Sequence, residues 1–157
     1  MLKIQKLDHR SLSVAKDMLS LSLASYRVEA DIIGVTFFPP LAEKVEDIVG
    51  SKSTFFGAFL MHKLVGIVEI EPMEEEDETV ININRLVVEP TQFGKSVGTS
   101  LVSFVCKDNI TTSVTTALKN IPAIRLYQKC GFEKASTQLL NEDITLLTMR
   151  RVLSGNT

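Results

Sequence analysis

Several classes of protein are excluded by what this 157-residue chain lacks. Two cysteines, Cys106 and Cys130, are too few for a disulfide framework, and each lies in an apolar helical pattern typical of a buried thiol. No apolar run approaches the roughly 20 residues that a membrane-spanning helix needs. The start of the chain, MLKIQKLDHR, also lacks the long apolar stretch of a signal peptide. We therefore expect a cytoplasmic protein that does not act at a membrane.

An excess of basic residues is also missing. The formal net charge is -2 and the sequence pI is about 5.7, so we expect no nucleic-acid partner. Hydrophobic residues make up 45% of the chain and charged residues 23%, which favours a packed core over disorder. Because the length fits one unit of ordinary size, we predict a single domain over residues 1–157.

Apolar periodicity predicts a mixed α/β fold with the element order β-α-α-β-β-β-α-β-α-β-β. We predict strands over 2–7, 54–60, 64–70, 79–88, 112–117, 132–138 and 144–152, and helices that begin near Ser11, Pro39, Val97 and Asn120. Residues 26–38 show no clear period and are interpreted as a loop or a short irregular helix. The acidic run EPMEEEDE at 71–78 is interpreted as a loop.

The segment EPTQFGKSVGTSLVSFV, residues 89–105, follows a strand pattern and leads into a helix pattern. A nucleotide P-loop would need glycine at Glu89, five residues before Gly94. The dinucleotide fingerprint also fails, because Ser96 and Thr99 occupy its later glycine positions. The unpaired amides and the dipole of the helix start still favour an anion. A surface turn that needs glycine only for its geometry is the alternative.

Two motifs of the chain resemble those of the GNAT family of acetyl-CoA-dependent N-acetyltransferases. The central motif of that family, V-x-P-x-x-[RQ]-G-x-G-x-[GA], corresponds to VEPTQFGKSVG at 88–98. A second signature, N-x-x-A-x-x-L-Y-x-K-x-G-F, is matched without gaps at 120–132. The resemblance covers nearly the whole chain and is least at 26–52. It implies the GNAT fold, a mixed central sheet flanked by helices, and acetyl transfer from acetyl-CoA to a primary amine of a small molecule or peptide.

The resemblance also implies which residues contact acetyl-CoA. The thioester would lie at the end of the strand before the central motif, with an amide near Val88 as an oxyanion donor, and the pyrophosphate would lie on amides 94–99. The implied cofactor-binding residues are Leu86, Val87, Val88, Phe93, Gly94, Lys95, Ser96, Val97, Gly98, Thr99, Asn120 and Tyr127. Phe93 replaces the usual Arg or Gln and Ser96 the usual Gly. Both changes keep the backbone amides, so we expect acetyl-CoA to bind, and no metal is implied.

The second signature implies that Tyr127 is the general acid that protonates the leaving thiolate. A core aromatic residue at helical spacing is the alternative. Asn120 is a helix cap, a pantetheine contact, or both. Some family members use a strand glutamate as the base, but the corresponding residue here is Asn82. Glu69 and Glu71 are the nearest carboxylates, and Glu69 is the candidate base; solvated charges or deprotonation by water are the alternatives.

The acceptor pocket is expected along the stretch after the first helix. Tyr26, Glu29, Asp31, Phe37 and Phe38 combine carboxylates with aromatics, which suits a cationic amine, although a loop with a hydrophobic anchor is the alternative. Two functions stay open: an N-acetyltransferase, and a catalytically weak CoA-binding module with a regulatory or structural role. The second is motivated by the departures from the central motif and the missing strand glutamate. The sequence decides neither the acceptor nor whether the chain forms a homodimer.

Overall fold

A seven-stranded sheet forms the centre of the computed structural model, which describes residues 1–152. The strands are β1 (Leu2–Lys6), β2 (Thr54–Leu60), β3 (Lys63–Glu75), β4 (Glu78–Val88), β5 (Thr112–Ala117), β6 (Glu133–Leu139) and β7 (Thr145–Arg151). Their order across the sheet is β1-β2-β3-β4-β5-β7-β6. Neighbouring strands run antiparallel, except that β4 and β5 are parallel.

The α-helices in the described residues pack on both faces of the sheet. They are α1 (Leu12–Ile33), α2 (Val45–Val49), α3 (Val97–Val105) and α4 (Ile121–Lys129). Side chains of β4 alternate between two cores, as expected for a strand covered on both faces. Val87 packs with residues of α1 and α2, whereas Leu86 and Val88 pack against the cluster that includes α3 and α4. Each pair of helices therefore closes one face of the sheet.

The predicted element order is confirmed by the structure. Strand β5 has the predicted bounds, 112–117, and α3 covers the predicted apolar stripe at 97–105. The last five residues of the predicted domain, 153–157, lie outside the described residues.

The prediction of a loop or short irregular helix over residues 26–38 is wrong over most of that range. Helix α1 continues to Ile33 and ends at Gly34, which has a left-handed φ of 84° and donates its N–H to the Ala30 carbonyl at 2.8 Å. Its apolar period is weak after residue 25 because one face of this part of the helix borders a cavity and not the core.

The helix predicted to open at Pro39 forms two shorter pieces. A 3-10 turn spans Pro39–Ala42, and α2 spans only Val45–Val49. Glu43 and Lys44 between the pieces have extended ψ angles of 141° and 161°. The Lys44 N–H donates to Asp47 Oδ2 at 2.8 Å, which caps α2, and Gly50 ends it as predicted.

The acidic run at 71–78 is mostly strand and not a loop. Strand β3 extends to Glu75 and β4 begins at Glu78, with positive φ angles of 47° and 65° at Glu76 and Asp77 between them. Two central residues with positive φ are what a tight β-hairpin requires. The side chains of this hairpin are largely exposed on both faces, so no alternation of apolar and polar residues marks the strands in the sequence.

Strand β4 contains one extra residue relative to β3. Asn84 is that residue, because its neighbours Ile83 and Arg85 pair with consecutive residues of β3. The parallel ladder between β4 and β5 covers only residues 81–83 of β4 and stops at this bulge. Because a bulge bends its strand and increases the local twist, the two parallel strands separate there. The second half of β4 keeps a free edge on the side of β5.

Candidate active site

The gap between the separated ends of β4 and β5 opens into a cavity of about 970 Å³. Its walls come from α1, the 3-10 turn at Pro39, the ends of β4 and β5, the loop before α3, one face of α4, and the connection between β6 and β7. These elements meet at the half of the sheet where the β4–β5 ladder has ended.

The free edge of β4 presents backbone groups to this cavity. Glu89 donates its N–H to the Val65 carbonyl at 2.8 Å, and Val87 continues the same register, so both residues hydrogen-bond toward β3. Because hydrogen-bond direction alternates along an antiparallel pair, the N–H and C=O groups of Leu86 and Val88 face the gap. Those two residues line the cavity, whereas Val87 lies in the opposite core and does not.

The start of α3 supplies amide groups without capping partners. Gly94 and Ser96 have left-handed φ angles of 79° and 69°, which turn the chain into the helix. The Ser96 side chain makes no capping hydrogen bond, and the amides of residues 97–99 precede the first intrahelical bond. Together with the positive end of the helix dipole, these amides could bind an anion from the cavity. A serine in the left-handed region costs about 1 kcal/mol that the usual glycine would avoid.

The two glycines of this loop have different tasks. A Cβ on Gly98 would lie 2.6 Å from Cδ1 of Leu126, so glycine lets α3 pack closely on α4 without a shift of that side chain. Gly94 has no atom within 4 Å of the place where its Cβ would lie, which leaves open space above the loop. Phe93 is exposed and lines the cavity, whereas Lys95 is exposed but does not.

Tyr127 connects the core with the cavity. Its residue is 4% exposed, its ring lies 5.5 Å from the ring of Phe132, and it lines the cavity. Within residues 1–152 its hydroxyl has no hydrogen-bond partner. Burial raises the pKa of Tyr127, and the nearby Glu29 carboxylate raises it further, so the hydroxyl keeps its proton at neutral pH. The ring is therefore a core aromatic, while a catalytic role of the hydroxyl stays a prediction.

A carboxylate faces Tyr127 from α1. Burial raises the pKa of Glu29, and the side chain of Asn120 opposes that rise through a hydrogen bond. Asn120 also accepts a hydrogen bond from the Ala123 N–H at 3.3 Å through its Oδ1, which caps α4 as predicted. Its amide nitrogen is thereby left to donate toward Glu29. The cavity thus holds a carboxylate and a phenol on facing helices.

Two cations on α4, Arg125 and Lys129, were not among the predicted site residues, although Lys129 belongs to the second signature. Pro122, Arg125, Leu126 and Lys129 share one face of the helix by their spacing, and all four line the cavity. Arg125 and Lys129 are exposed, and no ion pair within residues 1–152 involves either side chain. The spacing of three and four residues was the available signal, and it places two positive charges along the groove.

Glu69, the candidate base, lies outside the cavity lining. Its carboxylate accepts a hydrogen bond from Nε of Arg85 at 2.9 Å. The same guanidinium donates to Oε1 and Oε2 of Glu43, at 2.9 and 2.5 Å, and to Oγ of Ser22 at 3.0 Å. It also lies 5.5 Å from the centre of the Phe55 ring. We call Glu43, Glu69 and Arg85 the buried triad; it joins β3 and β4 to α1 and to the segment before α2.

Most of the predicted cofactor-binding residues meet at this cavity. Those that line it are Leu86, Val88, Phe93, Gly94, Ser96, Val97, Gly98, Thr99, Asn120 and Tyr127. In the acceptor stretch, Tyr26, Glu29 and Phe38 line the cavity, and the rings of Tyr26 and Phe38 meet edge to face at 6.2 Å. Asp31 and Phe37 are exposed and lie outside the lining, so Phe37 is not the buried anchor that the alternative of a loop with a hydrophobic anchor would need.

Comparison with known proteins identifies the family to which the chain belongs. Residues 51–134 match the family model described as acetyltransferase (GNAT) domain. The chain belongs to the GNAT acetyltransferase family. The match covers the strands around the bulge, the loop before α3, and α4, whereas α1, the 3-10 turn and the β6–β7 connection, which also line the cavity, lie outside it. The family and the fold implied by the two motifs are confirmed.

Relatives of this GNAT chain are longer than the chain itself. It is 36% identical over 137 residues to UPF0157 protein YqkA of Bacillus subtilis (strain 168), which covers 85% of the chain and 39% of that protein. It is 33% identical over 92 residues to a streptothricin acetyltransferase of Escherichia coli, which covers 55% of the chain and 51% of that protein. The chain therefore matches about half or less of the length of each.

A solved structure shows the same fold. The structure of yncA from Salmonella typhimurium, described as a putative acetyltransferase with its cofactor acetyl-CoA, superposes with a TM-score of 0.72. The superposition covers 100% of this GNAT chain and 96% of the other, at 12% identity, so it supports the fold alone. In residues 1–152 no helix is long and apolar enough to cross a bilayer. Over the same range, no group of three or more His, Cys, Asp or Glu residues is placed to hold a metal ion.

Proposed function

We propose that this GNAT chain transfers the acetyl group of acetyl-CoA to a primary amine. The observation that supports this best is the meeting of the free edge of β4, the uncapped start of α3 and the Tyr127 side chain at one cavity. A chain of amides can pair with a free strand edge, a pyrophosphate with helix amides, and a leaving thiolate with a phenol. Acetyl-CoA contains these groups in that connected form.

The residues present fit this cosubstrate. Leu86 and Val88 would pair with the pantetheine amides through their backbone, and the amides of residues 97–99 would hold the pyrophosphate. Arg125 and Lys129 would stabilise the remaining phosphate charge, because exposed cations near a groove attract anions over about a Debye length. When bound, acetyl-CoA supplies an acyl group activated as a thioester. Open space above Gly94 leaves room for the approach of a ligand to the backbone.

Val88 and Tyr127 would each stabilise negative charge that develops during the reaction, Val88 on the carbonyl oxygen and Tyr127 on the leaving sulfur. The Val88 N–H, free on the side of the gap, would donate to the carbonyl oxygen as negative charge develops on it. A thiol has a pKa of about 8.5, and the pKa of Tyr127 is raised, so complete proton transfer from the phenol to the thiolate is uphill. Tyr127 would therefore stabilise the leaving sulfur by donating a hydrogen bond, and solvent would complete its protonation.

A melting experiment tests acetyl-CoA binding. At a ligand concentration of about 100 times Kd, the free energy of unfolding should rise by roughly 2.7 kcal/mol. Thr99→Asp should remove this gain, because Thr99 lines the cavity and a carboxylate there repels phosphate. The free protein should lose little stability, since an acidic residue in the first helical turn is favourable. Gly98→Asp is a poorer variant because of the contact with Leu126.

Ser103→Asp is the matched control, because Ser103 is an exposed residue of the same helix outside the lining. It should leave the acetyl-CoA effect intact. A wild-type melting temperature unmoved by millimolar acetyl-CoA would refute the proposed cosubstrate.

Turnover separates an enzyme from a catalytically weak CoA-binding module. Both would show the melting shift, so the discriminating measurement is release of free CoA thiol in the presence of amines. A protein blank is needed because Cys106 and Cys130 are free. An amine-dependent rate well above thioester hydrolysis supports acetyl transfer. Binding without such a rate would instead support the module, which the strained Ser96 loop and the engaged Glu69 carboxylate motivate.

A further inference from the structure

One part of the cavity wall is built from apolar side chains. Ile32 of α1, Phe38 before the 3-10 turn, and Leu140, Ile144 and Leu146 of the β6–β7 region line it, and we call these five residues the apolar wall. Phe38, Ile144 and Leu146 belong to one hydrophobic cluster together with Ile33 and Ala117. Ile32 and Leu140 are 42% and 52% exposed, so part of their apolar surface faces solvent.

Among the charged residues within 1–152 that line the cavity, only one is a carboxylate that could bind a cationic acceptor. Glu29, Arg85, Arg125 and Lys129 are the charged residues that line it. Arg85 is bound by two carboxylates in the buried triad, and Arg125 and Lys129 lie on the face of α4 assigned to phosphates. Glu29 takes part in no ion pair within residues 1–152. On α1, its cavity-facing companions Ser25, Val28 and Ile32 are uncharged.

We infer that the acceptor is a monoamine with an apolar body, whose ammonium group binds Glu29 and whose apolar part packs on the apolar wall. This inference rests on the proposed acetyl transfer and names its substrate class. A single carboxylate matches one ammonium group. A second positive charge on the ligand would be repelled, because the other charged residues of the lining, Arg85, Arg125 and Lys129, are all cations. The exposed surface of Ile32 and Leu140 would be covered by the apolar part of the ligand.

Glu29 also completes the proton balance of the reaction. Its carboxylate takes one proton from the ammonium group, and the neutral nitrogen attacks the thioester carbonyl, so that a C–N bond forms and the C–S bond breaks. The amide product loses a second proton, the thiolate gains one to become the CoA thiol, and Glu29 returns its proton to solvent. Reactants and products then differ by one proton released, as ammonium plus thioester requires.

A matched series of amines tests the substrate class. The probes are butylamine, hexylamine, 2-aminoethanol and spermidine, with saturating acetyl-CoA and detection of free CoA. Two additional buried methylenes should raise kcat/KM for hexylamine roughly tenfold over butylamine. The values for 2-aminoethanol and spermidine should be lower than that for butylamine. Equal values for the two alkylamines, or a preference for 2-aminoethanol or spermidine, would overturn the inference while leaving acetyl transfer intact.

Two pairs of variants assign the contacts. Leu140→Thr should reduce the ratio between hexylamine and butylamine, and Leu139→Thr should not, because Leu139 is the exposed neighbour outside the lining. Glu29→Gln should raise KM for hexylamine at least about tenfold without a change in KM for acetyl-CoA. Asp31→Asn, an exposed position of the same helix, should change neither constant.

The outcomes separate the two proposals. Unchanged amine kinetics in Glu29→Gln, or equal effects of Leu139→Thr and Leu140→Thr, would overturn the assigned contacts. Absence of turnover with every amine, despite acetyl-CoA binding, would refute acetyl transfer and this inference with it.

Discussion

Arg85→Met should be among the most damaging single substitutions in the described part of the chain. It would leave the carboxylates of Glu43 and Glu69 without their cation, although their side chains are only 16% and 11% exposed. Removing one partner from a buried ionic network typically costs about 3–5 kcal/mol. For a chain of this size each kcal/mol corresponds to about 2–4 °C, so the melting temperature should fall by roughly 6–20 °C.

The chain offers a matched control for this effect. Arg150 pairs with Glu75 at 2.5 Å, the same distance as the closest contact of the buried triad, but both side chains are 33% exposed. Solvent screens that pair, so Arg150→Met should cost about 1 kcal/mol or less. Glu43→Gln should also cost less than Arg85→Met, because it leaves Arg85 paired with Glu69.

Urea unfolding and a thermal melt of the three variants provide the assay. The expected order of destabilisation is Arg85→Met, then Glu43→Gln, then Arg150→Met. Arg85→Met should also raise KM for the amine more than KM for acetyl-CoA, because Glu43 follows the 3-10 turn that lines the cavity. Equal losses of stability in Arg85→Met and Arg150→Met would refute the prediction that an ion pair costs more to break when it is buried.

Three further predictions concern the cavity. Tyr127→Phe should lower kcat about a hundredfold, because the leaving sulfur loses a hydrogen-bond donor. The melting temperature should change little, because the ring and its packing against Phe132 are kept. A variant with normal kcat would leave Tyr127 a purely structural residue. Glu29→Gln should be more stable than the wild type at pH 7. The folded state binds the Glu29 proton more tightly than the unfolded state, so the contribution of Glu29 to stability falls as pH rises from the ordinary pKa of 4.5 through the raised pKa. The difference in melting temperature between Glu29→Gln and the wild type should therefore grow between pH 4 and 8. Arg125→Gln should raise KM for acetyl-CoA up to about fivefold at low salt and much less at 0.5 M salt, and a salt-independent effect would contradict a role for its charge.

The sequence predicts best where a face of an element meets the core. Strand β5 has the predicted bounds because it lies between β4 and β7, is buried except at Thr115, and is rich in strand-forming residues. Helix α1 is missed after residue 25 because the residues that would complete its apolar stripe border the cavity, where Glu29 stands. The local rule therefore fails where a cavity-lining residue stands in place of a core residue.

The motifs predict the loop and α4 but not the partners of the charges. Ten residues implied by the resemblance line the cavity, and eight of them lie within the two motifs, because a contiguous motif carries its own backbone geometry. The pairing of Glu69 with Arg85 depends on the strand register, and the contact with Glu43 depends on where a turn 42 positions away folds back. Neither contact can be predicted from the spacing of residues along the sequence. The one-residue shift at Asn84 is likewise invisible in the alternation of the predicted strand at 79–88.

The extra residue at Asn84 decides whether β4 and β5 stay paired to the end of β4 or separate. Deleting Asn84 would let β4 continue in even register, so that its last residues could complete the parallel ladder with β5 and satisfy the backbone groups of Leu86 and Val88 internally. Such a protein would gain hydrogen bonds between β4 and β5 and lose the gap in which the proposed cosubstrate binds. Directed evolution for thermal tolerance alone should therefore enrich deletions at this position, whereas selection for turnover should remove them.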